Sequence, residues 1–401
     1  MNLPDIICQL VRYCKGEAVI YFDASASSLL KPLGVSKAVK GCIDSCSNPG
    51  RSFYDSALAA GRIIDSARRS VSKLVSLDDS LNVAFTSGAT ESLNLVISNF
   101  ITYKDHVITT AFEHNSVLRP LYKSGCELSI LPIAVDGQLD TSGLKSLLKE
   151  NTKALVCNHG SNVTGQLLDP YPLYDFCKSA GILFILDVAQ TCGCTMVNAN
   201  MADMLCFTGH KSLMGPQGCG GIICNASLDF PIAKTGGTGS HTFDRFQSSI
   251  MPDCFEAGTP NTPALAGLNE SVSYLNSIDL ESSFQKKSAM RLQLSEGLAG
   301  IKGVELYGEQ LFTPDSSMSY ASNNKLPVIS FNLSGYSSQD LAFTLWEDYQ
   351  IACRSGNHCA PLVHEHFDTK KRGMLRLSFG MLNTEEEIDR VVSAVGEIAS
   401  R

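Results

Sequence analysis

The sequence lacks any long hydrophobic run and any excess of basic charge. The apolar run at 182–186 is far shorter than the ~18 residues that a membrane-spanning helix needs. The chain has 32 lysines and arginines against 40 aspartates and glutamates, and its net charge of −8 argues against a broad basic surface for nucleic acid. Residues 1–17 also lack the basic-then-apolar order of a secretory signal peptide. We therefore expect a cytosolic protein that neither enters a membrane nor binds nucleic acid.

Cysteine is abundant, with 15 residues scattered along the chain. Cys157, Cys206 and Cys224 lie within apolar, strand-like runs, which predicts buried, reduced thiols that pack as small hydrophobic side chains. A disulfide framework is not expected in a large chain without a secretion signal. Cys192 and Cys194 form a Cys-x-Cys pair, for which a metal site is a weaker alternative.

Strand-like apolar runs alternate with helical patterns in the middle of the chain. Strands are predicted at 81–88, 153–159, 181–187 and 203–209. The segment 89–100 has helical spacing and follows the first of them directly. This alternation predicts an α/β fold with a mostly parallel sheet covered by helices.

The chain of 401 residues is long enough for two domains. We expect a large α/β domain over 21–262 and a smaller α+β domain over 263–401, the latter joined by residues 1–20. Near the end, Thr384 and Glu387 have the spacing of a helix capping box, which predicts a helix with an apolar stripe behind it.

The segment TSGATES at 86–92 has the features of a phosphate site. A predicted strand ends here, Gly88 turns the chain and a helix begins near Ala89, so free N–H groups and the helix dipole favour an anion. Thr86, Ser87 and Thr90 add hydroxyl groups. An ordinary helix cap is the alternative interpretation of the same residues.

Two charged residues lie at or just after the ends of predicted strands. Asp187 follows an apolar run, where a carboxylate is costly without a partner and where open α/β sheets bind ligands. Lys211 follows the next run, and a lysine in a partly desolvated site loses its proton readily and can bind a carbonyl covalently. A surface loop charge and a loop hydrogen bond are the alternatives. Phosphate cup, aspartate and lysine together indicate pyridoxal phosphate.

The order of motifs along the chain resembles the class V aminotransferase-fold enzymes that use pyridoxal phosphate, and most closely their cysteine desulfurase and selenocysteine lyase branch. The matching segments cover nearly the whole chain: YFDASASSLLKP, NPGRSF, FTSGATESLNLVI, EHNSVLRPL, SNVTGQLLDP, DVAQ, TGHK, FEAGTPNTPALAGL, RSGNHCAPL and RLSFGMLNTEEEID. The resemblance implies the fold type I architecture of pyridoxal phosphate enzymes, with a large cofactor domain and a smaller C-terminal domain.

The resemblance also implies roles for residues around the cofactor. Lys211 matches the lysine that binds the cofactor, Asp187 the partner of its ring nitrogen and Gln190 the partner of its ring hydroxyl. His114 matches a histidine that stacks on the ring and moves protons. The phosphate-binding residues are matched by Ala89, Thr90, Thr208 and His210. Thr259 matches a threonine that reaches the phosphate of a neighbouring subunit, which implies a homodimer.

On the substrate side, Asn162 and Arg376 match groups that hold the substrate carboxylate. An arginine can bind both oxygens of a carboxylate at once, which suits this role. Arg354 is assigned to the same substrate group. Cys359 matches the cysteine that takes the sulfur, and it requires a thiolate. Arg354 and His358 are neighbours in sequence that could favour that thiolate. An inert buried thiol is the alternative for Cys359.

A metal site is a second alternative for this last segment, because histidines and a cysteine lie close together in sequence. The candidate ligands are His358, Cys359, His364 and His366. Their spacing fits no closed zinc pattern, so we expect no metal.

The chain departs from the family pattern at two positions. Ala24 and Ser25 stand where the family usually has asparagine and alanine, and Tyr54 stands where it usually has histidine. The resemblance places both regions on the substrate side. We therefore expect these departures to leave binding of pyridoxal phosphate intact and to affect the choice of substrate and the rate of the reaction.

The sequence thus predicts a cysteine desulfurase that converts L-cysteine into L-alanine and passes sulfur through Cys359 to an acceptor protein. Iron–sulfur cluster assembly, RNA thiolation and a dedicated pathway are the destinations left open. Selenocysteine lyase, an aminotransferase and a C–S lyase of the same fold are the alternative enzymes. A non-catalytic partner protein with this fold is the alternative outside enzymology.

Overall fold

A seven-stranded sheet forms the centre of the larger part of the fold. The computed structural model describes residues 19–50, 52–225, 230–239, 242–309 and 325–401. The strands, numbered in chain order, are β1 (Ile20–Tyr21), β2 (Val83–Thr86), β3 (His106–Thr110), β4 (Glu127–Leu131), β5 (Thr152–Asn158), β6 (Leu183–Asp187), β7 (Met204–Thr208), β8 (Gly220–Cys224), β9 (Val304–Tyr307), β10 (Val328–Leu333), β11 (Ile351–Ala352), β12 (Arg354–Gly356) and β13 (Met374–Ser378).

The seven strands lie in the order β2-β8-β7-β6-β5-β3-β4. All neighbours are parallel except β8, which pairs antiparallel with both β2 and β7. The carboxyl ends of the parallel strands therefore meet at one edge, as the predicted mostly parallel α/β sheet requires. Strand β8 is the exception that the alternation of runs did not predict.

Helices cover this sheet on both faces. The α-helices of the described chain as a whole are α1 (Leu33–Ser45), α2 (Asp55–Leu74), α3 (Ala89–Phe100), α4 (Asn115–Ser124), α5 (Tyr171–Ala180), α6 (Thr262–Leu275), α7 (Leu280–Ala299), α8 (Ser338–Tyr349), α9 (Pro361–His366) and α10 (Glu385–Ala399). Along β5 successive side chains alternate between two cores: Ala154 and Val156 pack on one face, Leu155 and Cys157 on the other. Because both faces are covered, the central strands β6, β7 and β8 are almost entirely apolar.

A four-stranded antiparallel sheet of order β12-β13-β10-β9 forms the smaller part. Its core includes apolar side chains of α7, α8 and α10, and Ile20 and Phe22 from the start of the described chain. Residues 1–18, which we expected to join this part, lie outside the described residues. Helix α6 packs into the core of the larger sheet although it lies beyond residue 262. The division into domains at 262 and 263 stays a prediction.

Several local predictions are confirmed. Helix α3 covers the predicted segment 89–100. Helix α10 begins behind Thr384, whose side chain accepts from the Glu387 N–H while the Glu387 side chain accepts from the Thr384 N–H. A capping interaction of this kind stabilises a helix by about 1 kcal/mol.

The described cysteines, thirteen in number, are all free. Cys157, Cys206 and Cys224 are fully buried, as the sequence predicts for thiols that pack as small hydrophobic groups. In the part of the chain that the structure describes, no helix is both long and apolar enough to cross a membrane.

Candidate active site

A cavity of about 290 Å³ lies at the carboxyl edge of the large sheet. Nine of the predicted site residues line it: Ala89, Thr90, His114, Asn162, Asp187, Gln190, Thr208, His210 and Lys211. They come from the ends of five different strands, so the parallel topology brings together residues that are far apart in sequence. Arg376 and Cys359 lie beside this cavity, and their contacts are described below.

Lys211 lies in the turn that follows β7 and is half-buried. Burial lowers the pKa of its amine to about 8, and the positive charges of Arg376 and Arg354 act in the same direction. The negative charge of Asp187 opposes this lowering, because it favours the protonated amine. An amine with this pKa is neutral in a substantial fraction of molecules near neutral pH, the form that attacks a carbonyl.

Asp187 is the last residue of β6 and is 7% exposed. One carboxylate oxygen accepts from the Ala189 N–H at 2.9 Å. Burial raises the pKa of the carboxyl group, and the Ala189 hydrogen bond and the charge of Lys211 only partly offset this. A cationic ring nitrogen would stabilise the carboxylate that burial disfavours.

His114 caps the amino end of α4, and this position fixes its ring. Nδ1 accepts from the Ser116 N–H at 3.0 Å, so the neutral ring carries its proton on Nε2. Burial, with a smaller contribution from the charge of Lys211, lowers the pKa of His114 to about 4. The imidazole is therefore neutral at physiological pH, which suits a side chain that stacks on a ring and exchanges a proton.

The amino end of α3 forms the predicted phosphate cradle. Gly88 has φ 152° and caps the helix, and a side chain there would approach the Thr208 hydroxyl to 3.3 Å. A side chain on Gly220 of β8 would lie 2.5 Å from the Gly88 Cα atom, so the two glycines let the strands close on each other. The first N–H groups of the helix face the cavity together with the Thr90 side chain.

His210 and Gln190 complete the cofactor side of the cavity. The Nδ1 atom of His210 is buried and has no hydrogen-bond partner among the described residues. Burial lowers the pKa of His210 to about 4. The Gln190 side chain donates to the Ser25 carbonyl oxygen at 3.1 Å. A bound phosphate is one acceptor that would satisfy a protonated Nδ1 of His210.

Arg376 lies beside Asn162 at the other end of the cavity and is 2% exposed. One guanidinium nitrogen donates to the Asn162 carbonyl oxygen at 3.1 Å, and another donates to Asp23 at 2.8 Å. The second oxygen of Asp23 accepts from Arg354 at 3.0 Å. Asp23 therefore bridges the two arginines that the resemblance assigns to the substrate carboxylate, and the sequence did not indicate it. The Nε atom of Arg376 is buried without a partner among the described residues.

Cys359 is exposed and lies in a strained turn after β12. Its φ is 57° and that of His358 is 47°, a left-handed conformation that costs non-glycine residues about 1–3 kcal/mol each. The Cys359 carbonyl oxygen accepts from the Asn115 N–H at 2.8 Å. Because Asn115 follows His114, this bond ties the thiol loop to the helix that carries the histidine.

His358 does not supply a positive charge to the thiol. Its ring is buried, and Nε2 donates to the Met374 carbonyl oxygen at 3.0 Å. Burial, with a further contribution from the charge of Arg376, lowers its pKa to about 3, so the ring is neutral at pH 7. Among the described residues, no three His, Cys, Asp or Glu side chains converge on a point where a metal ion could bind.

Two predicted positions lie away from the cavity. Thr259 is exposed and does not line it. Tyr54 caps α2 and is also exposed. Ala24 lines a smaller cavity of about 40 Å³ that meets the first one at Lys211.

The family model of aminotransferase class V matches residues 20–391 of the chain. This chain belongs to the aminotransferase class-V family. A protein of Methanothermobacter thermautotrophicus named a probable cysteine desulfurase is 29% identical over 392 residues, covering 95% of this chain and 94% of that protein. A cysteine desulfurase of Cronobacter sakazakii is 29% identical over 402 residues and covers 96% and 95%.

Solved structures support the same assignment. The apo structure of a cysteine desulfurase from Thermococcus onnurineus NA1 is similar to this chain with a TM-score of 0.85 and 29% identity, over 95% of both chains. The predicted family and fold are therefore confirmed. Members of the aminotransferase class-V family depend on pyridoxal phosphate, which confirms the predicted cofactor.

The side chains of this family member fit pyridoxal phosphate at its phosphate, its ring nitrogen and its aldehyde. The amino end of α3 and the unpartnered His210 Nδ1 suit the phosphate, and the buried Asp187 suits the ring nitrogen. Lys211 has the lowered pKa that covalent binding of the aldehyde requires.

The sequence missed several residues that shape the site. Glu113 is fully buried, accepts from the Asn158 N–H at 3.0 Å and has its pKa raised to about 8, chiefly by burial. Asp23, which pairs with Arg376, and Ser116, which binds His114, were also not indicated by the sequence. Asp23 lies within the quoted motif YFDASASS, so its position was visible in the sequence, but its partners were not.

Proposed function

We propose that this chain is a pyridoxal phosphate-dependent cysteine desulfurase that converts L-cysteine into L-alanine and holds the sulfur on Cys359 as a persulfide. The observation that carries the proposal is the exposed Cys359 thiol in a loop tied to the cavity. The Asn115 N–H, directly after His114, binds the Cys359 carbonyl oxygen at 2.8 Å, and the cavity-lining Asn162 binds the preceding residue at 2.8 Å. Relatives named cysteine desulfurase match almost the full length of the chain and support it.

Arg376 and Asn162 hold the substrate carboxylate in this proposal, with Arg354 at its outer side. The buried Nε of Arg376 has no partner among the described residues, as expected for a donor that a substrate carboxylate would satisfy. A substrate carboxylate must share the arginines with Asp23, which already pairs with both. Arg376 then fixes which substituent of the α-carbon faces Lys211.

The protons move through Lys211 and His114. Pyridoxal phosphate, when bound, withdraws electrons from the substrate and weakens its C–S bond. The neutral Nζ of Lys211 accepts the proton from the substrate α-carbon, consistent with its pKa of about 8. The neutral His114, which lines the cavity, carries its proton on Nε2 because Nδ1 accepts from the Ser116 N–H.

Sulfur leaves the substrate by attack of the Cys359 thiolate on the substrate sulfur. An S–S bond forms, the C–S bond breaks, and its electron pair stays with the substrate β-carbon, which takes up a proton. Lys211 then returns to the α-carbon the proton that it took, which gives alanine. Cys359 carries the persulfide until an acceptor thiol removes the outer sulfur. The exposure of Cys359 suits transfer to a second protein.

The proposed enzyme is a homodimer in which Thr259 reaches the phosphate of the partner. Glu256, three residues earlier, is anchored by two hydrogen bonds from Arg68 at 2.9 and 3.0 Å and one from the Phe85 N–H at 2.6 Å. Thr259 itself is exposed, and Phe243 and Phe246 in the preceding segment are 100% and 76% exposed. Large apolar side chains this exposed favour a protein interface.

We further propose that the enzyme works in the cytoplasm, since its described cysteines are all free, and that iron–sulfur cluster assembly is one use of the sulfur. RNA thiolation and a dedicated acceptor are the other uses that the sequence left open.

Mass spectrometry after brief exposure to L-cysteine tests the proposed function. Alanine together with a sulfur adduct on the Cys359 peptide supports it. Pyruvate in place of alanine would identify a C–S lyase, and activity restricted to selenocysteine would identify a selenocysteine lyase. A colourless protein that pyridoxal phosphate does not reconstitute would identify a non-catalytic partner.

A further inference from the structure

The loop of Cys359 holds two strained residues in succession. His358 and Cys359 have φ values of 47° and 57°, and neither is glycine. Residues with a Cβ atom rarely adopt this region, and they stay there only when surrounding contacts hold them. The orientation of the thiol therefore depends on the groups that bind the backbone of these two residues.

Three hydrogen bonds fix this strained pair. The Asn162 side-chain amide donates to the His358 carbonyl oxygen at 2.8 Å. The Asn115 N–H donates to the Cys359 carbonyl oxygen at 2.8 Å, and the His358 ring bonds to the Met374 carbonyl oxygen at 3.0 Å. Of these three, only the bond from Asn162 comes from a side chain that also lines the cavity.

Asn162 also contacts the arginine on the substrate side. Its carbonyl oxygen accepts from Arg376 at 3.1 Å, and its buried Oδ1 has no partner among the described residues. A side-chain amide has two N–H groups, so Asn162 can keep its bond to His358 while the second N–H faces a substrate. One residue thus contacts both the carboxylate-binding arginine and the strained backbone before the nucleophile.

We propose that Asn162 is a positioning residue for Cys359, which sets the distance and direction of the thiol relative to the bound substrate by holding His358 in its left-handed conformation. This inference rests on the proposed desulfurase function. It adds a role to Asn162 beyond binding of the substrate carboxylate, because the two roles use different N–H groups of the same amide.

A double-mutant cycle separates the two roles. Glycine adopts left-handed backbone without strain, so His358→Gly removes the need for the tether but leaves the substrate contact of Asn162 in place. We expect Asn162→Ala to slow persulfide formation on Cys359 about tenfold at saturating L-cysteine, and less than about twofold in the His358→Gly background. Equal slowing in both backgrounds would mean that Asn162 acts on the substrate alone and would overturn the proposal.

His358→Asn replaces the glycine variant if the latter does not fold, because asparagine tolerates the left-handed region better than most non-glycine residues. In the His358→Asn variant, Asn162→Ala should also slow persulfide formation less than it does in the wild type, but the difference should be smaller than in the His358→Gly variant. Single-turnover quenching followed by mass spectrometry of the Cys359 peptide measures the rate in all variants.

Hydrogen exchange gives a readout that does not depend on turnover. The Ala360 N–H donates to the Asn357 carbonyl oxygen at 3.1 Å and reports on closure of the turn. We expect Asn162→Ala to speed exchange there about tenfold in the enzyme with its cofactor. Asn276→Ala is the control, since its amide also donates to a backbone carbonyl, at 3.0 Å, but between α6 and α2.

Unchanged exchange at Ala360 in Asn162→Ala would also contradict the proposal. If the wild-type protein forms no persulfide at all, the proposed function fails, whereas the exchange experiment still decides whether Asn162 holds the loop. The two failures are therefore distinguishable.

Discussion

The cofactor side and the thiol side of the cavity are held in place by different means. On the cofactor side, Asp187 and Thr208 are the last residues of two neighbouring strands, and the sheet fixes them. On the thiol side, Cys359 lies in an exposed turn with left-handed backbone, held by single hydrogen bonds across long stretches of sequence. The comparison teaches that one half of the site is rigid and preformed, and that the other depends on a few contacts that single substitutions can remove.

Lys211→Ala would give the largest effect and would disable the cofactor side itself. Without the amine, the protein cannot bind pyridoxal phosphate covalently, so we expect loss of the yellow absorption and at least about a thousandfold loss of alanine formation. The measurement is an absorption spectrum after reconstitution and dialysis, with Lys178→Ala as the control on a lysine outside the cavity. A retained absorption band would remove Lys211 from the cofactor site.

Cys359→Ser would remove the chemistry of the thiol side and leave the cofactor side unchanged. We expect the absorption of the bound cofactor to stay at its wild-type value, because the thiol lies outside the sheet edge, while persulfide formation disappears. Mass spectrometry and the absorption spectrum of the same sample measure both. Cys353→Ser, which changes a half-buried cysteine in the preceding segment, is the matched control. Undiminished desulfuration in Cys359→Ser would place the chemistry on another thiol.

Arg376→Lys would weaken the substrate end and leave the cofactor in place. Lysine keeps the charge but loses the planar fork, so it cannot hold Asp23, the Asn162 carbonyl oxygen and a substrate carboxylate together. We expect KM for L-cysteine to rise about ten- to a hundredfold with a smaller change in kcat. Steady-state kinetics check this, and an unchanged KM would contradict the assigned role.

His159→Gln would give the smallest effect, on stability against acid. Burial lowers the pKa of His159 to about 4, whereas an unfolded histidine has a pKa of about 6.5. Between these values the unfolded chain binds more protons, so the free energy of unfolding falls as the pH drops from 6.5 to 4. His159→Gln should reduce this slope, and urea unfolding at several pH values measures it.

His366→Gln, a change of an exposed histidine, is the control. It should leave the dependence of the free energy of unfolding on pH as in the wild type. If His159→Gln has the wild-type slope as well, the buried histidine behind Asp187 does not contribute to the acid sensitivity of the cofactor side.

On the cofactor side, local patterns indicated the helix start near Ala89, Asp187 and Lys211, because each follows an apolar run. His114, Gln190, Thr208 and His210 were assigned by the resemblance. The strand end marks Asp187 and Lys211, and the glycine turn marks the start of α3 at Ala89. Strand β8 was not predicted, because its antiparallel insertion between β2 and β7 depends on pairing between distant segments.

The thiol side was identified through resemblance alone, and its contacts were not predicted. Asp23 and Arg376 are 353 positions apart in sequence, and Asn162 and His358 are 196 apart. Periodicity and capping patterns extend over a few residues and carry no information on such pairs.

The sequence by itself determined the α/β class, the strand ends that carry the cofactor residues, the helix that begins behind Gly88 and the family, because these follow from local hydrophobic patterns and from the order of short motifs. Only the tertiary structure decided that Asp23 bridges Arg376 and Arg354, that His358 is neutral and that Asn162 holds the loop of Cys359. These depend on burial and on hydrogen bonds between distant segments, which exist only once the chain has folded.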